Sequence, residues 1–153
     1  MTVDERWMQK ALKQAQVAAR KGEVPVGAVI VKDNKVIARG HNLRESAKDP
    51  TAHAEMLAMR RAAKKLGGWR LSGCILYVTM EPCPMCAGAA MNARMDKVVF
   101  GAYDEKAGCC GTVLDLSHQQ KFNHHFEVMG GILEEPCRTI LQKFFQSRRK
   151  KKK

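Results

Sequence analysis

The chain has 153 residues, 45% of them apolar, which is long enough to bury one core and too short for two ordinary domains. Its formal charge of +12 comes from 27 basic and 15 acidic residues; taking away the unbroken basic run of six at Arg148–Lys153 leaves 21 basic against 15 acidic, still an excess of six. A small neutral substrate gives no reason for that excess, whereas a polyanion does. No apolar stretch nears the roughly 20 residues of a membrane span, and Met1–Arg6 holds two acids where a signal peptide carries bases. The expectation is a soluble, cytoplasmic protein with one domain over residues 1–149 and a basic tail over 150–153.

Taken in chain order, the first element is a helix over residues 4–21, where Trp7, Met8, Ala11, Leu12, Ala15 and Ala18 recur at helical spacing until Gly22. Val26–Val31 turns β-branched, breaks at Lys32–Lys35 and resumes at Val36–Ala38, which predicts a hairpin. Asp49, Pro50 and Thr51 supply start signals for a second helix that passes Glu55, Leu57 and Ala63 and stops at Gly67–Gly68. Cys74–Thr79 then reads as a buried strand, Cys86–Arg94 as a helix and Lys97–Phe100 as a strand. That alternation implies parallel strands joined by a helical crossover, in a sheet covered by helices. Asp115–His125 is poorly patterned, Glu127–Leu133 reads as a last strand and Pro136–Arg149 as a last helix.

Six cysteines in a chain of this size, without an export signal, read as reduced thiols rather than a disulfide framework. Cys74, Cys109, Cys110 and Cys137 read as small buried or loop residues, and the adjacent pair Cys109–Cys110 has no further explanation in the sequence. Cys83 and Cys86 are different, because they stand at ligand spacing in Pro82-Cys83-Pro84-Met85-Cys86, about thirty residues after His53-Ala54-Glu55. Catalytic zinc commonly takes three protein ligands and keeps a fourth position for water, so His53, Cys83 and Cys86 suffice. The metal brings the pKa of bound water from about 15.7 to about 7. Glu55 is then the group placed to move protons. Two thiolates at a helix start gain from its unpaired N–H groups, and with a neutral imidazole they balance Zn²⁺. His53 and Glu55 are about 200° apart on an ideal helix, so the metal has to sit at the helix mouth.

A closed structural zinc site needs a fourth ligand. His41, His118 and His124 or His125 are the candidates, and none stands at finger-like spacing. A redox C-x-x-C leaves His53 and Glu55 unexplained.

These motifs resemble the cytidine and nucleotide deaminase superfamily. Within it, Gly22–Ala28, His41-Asn42, Pro50–Glu55, Leu76–Thr79, Glu81–Gly88 and Val99–Ala102 are similar to the bacterial tRNA-specific adenosine deaminases, and the similarity runs from the first helix to Phe144-Phe145. The resemblance implies an α/β fold of three layers, helix, sheet, helix, with a five-stranded mixed sheet. It implies a homodimer with one zinc per subunit that converts the wobble adenosine of a tRNA anticodon loop to inosine. It also implies that Asn42 and the Ala54 backbone hold the base, and that Asp104, Lys106, Asn123, Phe144, Phe145, Arg148 and Arg149 lie along the RNA path. Free guanine or cytosine deaminases carry similar zinc motifs and form the nearest alternative. A zinc-stabilised RNA-binding module forms the other, although it would need neither Glu55 nor an open coordination position. From the residues alone, Asn42 also reads as a turn residue after the hairpin. Phe144 and Phe145 cannot both face one core, which leaves one to stack on a base or on a partner subunit.

Overall fold

The structure, a computed structural model, describes residues 1–151. Helix α1 (Val3–Arg20) is followed by β1 (Gly27–Lys32), β2 (Lys35–His41), α2 (Ala54–Leu66), β3 (Cys74–Met80), α3 (Pro84–Asn92), β4 (Lys97–Ala102), β5 (Glu127–Met129) and α4 (Glu134–Lys151). The strands form one five-stranded mixed sheet in the order β2-β1-β3-β4-β5. β1 is antiparallel to β2 and β3, and the pairs β3–β4 and β4–β5 are parallel. This is the three-layer α/β fold that the sequence implies.

Both faces of the sheet are covered, and the strand residues divide between them with period two. Ile30, Leu76, Val78, Val98 and Phe100 pack under α2 and α3 with Ala54, Ala58, Ala62, Ala87 and Ala90. Their neighbours Val29, Val31, Tyr77 and Val99 pack on the other face with Met8 and Ala11 of α1 and Cys137 and Leu141 of α4. The central strands are therefore apolar runs rather than alternating ones. The hydroxyl of Tyr77 finds its partner on α1, donating to Asp4 Oδ1 at 2.6 Å.

Several boundaries differ from the sequence reading, each for a local reason. α1 starts under a capping box in which Thr2 and Glu5 satisfy each other's N–H groups. The hairpin turn is only Asp33-Asn34, both at positive φ, as a tight turn between right-twisted strands requires. The signals at Asp49–Thr51 serve a turn and not the helix: Asp49 Oδ1 accepts from the N–H and hydroxyl of Thr51 at 2.8 and 2.7 Å, and α2 begins three residues later. β5 stops at Met129 because Gly131 and Leu133 turn to positive φ, and α4 begins at Glu134 with Pro136 in its first turn, where a missing N–H costs nothing. Asp115–His125 forms no helix or strand, apart from one bridge between Cys110 and Asp115.

Helix α4 extends through Lys151, so it runs into the tail expected at 150–153, of which Lys152 and Lys153 lie outside the described residues. No described helix is long and apolar enough to cross a membrane.

Candidate active site

The starts of α2 and α3 point at one spot. His53 is the residue that caps α2, and Cys83 caps α3; both are extended rather than helical, and neither makes the side-chain capping bond that Ser, Thr or Asp would make there. Freed from capping, the two side chains meet. His53 Nδ1 lies 3.6 Å from Cys83 Sγ and 3.6 Å from Cys86 Sγ, and the three ligand atoms lie within 4.8 Å of one another. Because His53 is outside the helix, the 200° separation of His53 and Glu55 does not arise. Glu55 sits in the first turn of α2, 4% exposed, and shares the helix mouth with the ligand cluster as the sequence demands.

Pro84 at the start of α3 fits the same economy, since the N–H that proline lacks has no partner in a first turn. The remaining N–H groups of the two helix starts, and their dipoles, favour negative charge where the sulfurs and the Glu55 carboxylate stand. Beneath α2, Gly40 of β2 lets the helix approach closely: a Cβ there would overlap the carbonyl of Ala54, the first residue of the helix.

The protonation pattern follows from this crowding. The hydrogen bond from the Cys86 thiol, and that from His53, push Cys83 down to about 4, while Cys86 as the donor is raised and retains its proton. His53 is raised, chiefly by the hydrogen bond it makes to Cys83. Burial pushes Glu55 up to about 7. A borderline-soft divalent cation fits the donor set of two sulfurs and one imidazole nitrogen, and would replace the protons that now hold it together.

A cavity of about 130 Å³ opens beside the cluster, lined by Val24, Val26, Asn42, Arg44, His53, Ala54, Glu55, Met80, Glu81, Cys83 and Asp104. Its walls are apolar with a few convergent polar groups, which is the usual make-up of a small-molecule site. Asn42 serves a turn and also stands on the cavity wall. It is a turn residue, since its Oδ1 accepts from Arg44 N at 3.1 Å and its Nδ2 donates to the Val24 carbonyl at 3.2 Å, and it faces the cavity with hydrogen-bonding capacity to spare. Asp104 Oδ1 accepts from the N–H groups of Lys106 and Ala107 at 3.0 and 3.1 Å.

The structure thus brings His53, Ala54, Glu55, Cys83, Cys86, Asn42 and Asp104 together, with Lys106 one turn away through Asp104. The other candidates do not line this cavity. Asn123 is exposed in a separate hollow with Arg94, Lys121 and Phe122. On α4, Phe144 is half-buried under Arg148, whose guanidinium carbon is 5.0 Å from the ring centre, and Phe145 is 46% exposed with its ring edge-on to that of Phe144. Arg148 also donates to the Gly22 carbonyl, and Arg149 is exposed. The sequence reading missed Arg44, Glu23 and Glu81; Glu23 and Glu81 stand inside the similar stretches Gly22–Ala28 and Glu81–Gly88, and Arg44 carried no signal. Cys109 and Cys110 are both buried. Their N–H groups donate to the Pro82 carbonyl at 2.9 Å and to Glu81 Oε2 at 3.1 Å, which ties the loop to the segment that carries the ligands.

The fold and site together define a deaminase: the chain belongs to the MafB19-like deaminase family, whose family model matches residues 2–149. Among individual proteins, the tRNA-specific adenosine deaminase of Bacillus subtilis is 56% identical over 153 residues, covering 100% of this chain and 95% of that protein. The protein of the same name from Haemophilus influenzae is 47% identical over 151 residues, covering 98% and 87%. A solved structure from studies of A-to-I editing by tRNA:A34 deaminases at the wobble position of transfer RNA matches with a TM-score of 0.86 at 41% identity, covering 89% of this chain and 99% of that one. The guanine deaminase of Bacillus subtilis matches with a TM-score of 0.62 at 46% identity, over 65% of this chain and 64% of that one.

Proposed function

We propose that this deaminase hydrolyses adenosine to inosine at the wobble position of a tRNA anticodon loop. The observation that carries the reading is the buried Glu55 beside a three-donor cluster that leaves a metal one open position, on the wall of a cavity. The likeness to tRNA-specific adenosine deaminases over the whole chain supports the substrate.

His53 Nδ1, Cys83 Sγ and Cys86 Sγ would hold one zinc per subunit. When bound, zinc supplies a water acidified to near neutrality. Glu55, buried beside the cluster, takes one proton from the attacking water and delivers it to adenine N1, which makes C6 electrophilic; as the water oxygen bonds to C6, Glu55 passes the water's second proton to the amino group, which leaves as ammonia. Asn42 and the free N–H of Ala54 orient the base; the apolar wall of Val24, Val26 and Met80 excludes bulk water around it. Asp104, Lys106, Asn123, Phe144, Phe145, Arg148 and Arg149 receive the flanking nucleotides, and the working assembly is a cytoplasmic homodimer.

The second reading, deamination of free guanine, is favoured by the match to the guanine deaminase. Incubation with unmodified tRNAs followed by sequencing tests reaction, substrate and position together. Adenosine-to-inosine conversion at the wobble position is expected. Turnover of free guanine with none on tRNA would replace the substrate and keep the deaminase.

A further inference from the structure

Two buried carboxylates take no part in the chemistry above. Glu23 follows α1 and Glu81 follows β3; they are 1% and 2% exposed. Among the described residues, ion pairs join Arg138 to Glu134 and Glu135, and neither Glu23 nor Glu81 has one. A buried carboxylate without a counter-ion is costly unless hydrogen-bond donors surround it.

Each draws its donors from a single loop. Glu23 Oε1 accepts from Glu45 N at 3.0 Å, and its Oε2 from the N–H and hydroxyl of Ser46 at 2.6 and 2.5 Å. With Leu43 N on the Ala52 carbonyl and Arg44 N on Asn42, four consecutive N–H groups are fixed. Glu81 Oε1 accepts from Asp104 N at 3.1 Å and from the Thr112 hydroxyl at 2.5 Å, and its Oε2 from the N–H groups of Cys110 and Thr112, both at 3.1 Å. Gly108 lies flat against this carboxylate, where a Cβ would overlap it.

The two loops held in this way deliver Arg44 and Asp104 to the cavity. We propose that Glu23 and Glu81 are positioning residues for substrate grip, each fixing one loop so that Arg44 and Asp104 stand ready for the nucleotide and its phosphates. The proposal rests on the tRNA reading above. A carboxylate suits the task because it only accepts, with two oxygens for three or four donors; the amide of Gln would turn donors of its own toward those N–H groups.

The test uses Glu23→Gln and Glu81→Gln in the full chain with zinc, and Ser46→Ala and Thr112→Ala, which remove only a hydroxyl from an exposed residue. Four quantities are read: affinity for an anticodon stem-loop RNA, the single-turnover rate at saturating RNA, zinc content and hydrogen exchange. Each Gln variant is expected to bind about tenfold more weakly, with a smaller loss in the saturated rate, and each Ala variant about two- to threefold more weakly. Exchange should rise at the amides of residues 45 and 46 for Glu23→Gln, and at 104, 110 and 112 for Glu81→Gln, leaving the other loop protected. A merely structural role would lower stability and leave affinity of the folded fraction unchanged, and that result overturns the proposal. So does a loss confined to zinc content or to the saturated rate. Should a Gln variant fail to fold, its Ala partner decides. Binding and exchange are read without turnover, so a wild type that binds the stem-loop but makes no inosine sinks the editing reaction while these readouts still decide the positioning role. A wild type that does not bind it overturns both.

Discussion

Around the converging starts of α2 and α3 the functional groups are buried or half-buried, and each has a partner a few ångströms away: three ligand atoms within 4.8 Å, and Glu55 at 4% exposure beside them. Along the end of α4 the groups are of another kind. Phe145 is 46% exposed, Arg149 is exposed, and Arg148 is held by a ring face and one carbonyl. If the first region works as proposed, loss of any one group should be decisive, because no neighbour can substitute for it in a preorganised, low-dielectric site. In the second, exposed charges and one aromatic face would act in water and in parallel, so each should contribute a little. Mutations should therefore divide into all-or-none effects at the helix starts and graded effects on α4.

The largest effect belongs to the ligands. Replacing His53, Cys83 or Cys86 by Ala leaves two donors for the metal, and zinc content and turnover are expected to vanish together. Metal analysis alongside inosine formation checks this; a full equivalent of zinc with wild-type turnover in any one variant would remove that residue from the ligand set.

Next is Glu55→Ala, which leaves the three donors intact. The protein should stay folded and zinc-loaded while the deamination step slows by about 10²–10⁴-fold, the usual worth of a positioned acid-base group. RNA affinity should hardly change, since a proton shuttle acts in the transition state. Inosine formation at a comparable rate would mean that another group moves the protons.

How much of this was legible in the sequence follows the range of the interactions. Helix α1, the hairpin and the order strand, helix, strand around Cys83 are written in local spacing, and the structure has them within a few residues. The start of α2 was misplaced because Asp49 and Thr51 look like a cap and in fact bond to each other in a turn. The cluster of His53, Cys83 and Cys86 was legible because ligand chemistry restricts residue type and spacing. Glu23 and Glu81 stand inside the similar stretches, but their task was not legible: each bonds to a loop more than twenty residues away, and an acid that will be buried looks like any surface acid until the chain folds.

Third in size is a packing effect beneath the buried region. In Gly40→Ala the new methyl would meet the backbone of Ala54, which cannot rotate away. The helix start must shift, at a cost of about 1–3 kcal/mol, and His53 and Glu55 shift with it. Thermal denaturation should show the loss, and zinc affinity should fall in the same variant. Gly68→Ala is the control, because nothing lies within 4 Å of a Cβ there. Equal behaviour of the two variants would mean that the approach of α2 to β2 is not tight.

The smallest effects belong to the exposed basic end, and here the expected result is a slope rather than a loss. Each phosphate contact releases counterions, so removing one lowers the slope of log affinity against log salt by about 0.7 on a single-stranded loop. Deleting Lys150–Lys153 should lower that slope and weaken tRNA binding at low salt, yet leave the saturated deamination rate near that of the full chain, because phosphate contacts hold the RNA and take no part in the chemical step. Part of the slope should survive, since 23 basic residues remain after the deletion of four lysines from 27, against 15 acidic. Phe145→Ala differs in kind: stacking on a base is nearly independent of salt, so affinity should fall by a similar factor at every salt concentration while the slope stays put. Measuring both variants across one salt series separates charge from stacking on the same helix. If the truncation slows the saturated chemical step as severely as Glu55→Ala does, the division between an all-or-none buried region and a graded exposed one is wrong, and the tail belongs to the catalytic site.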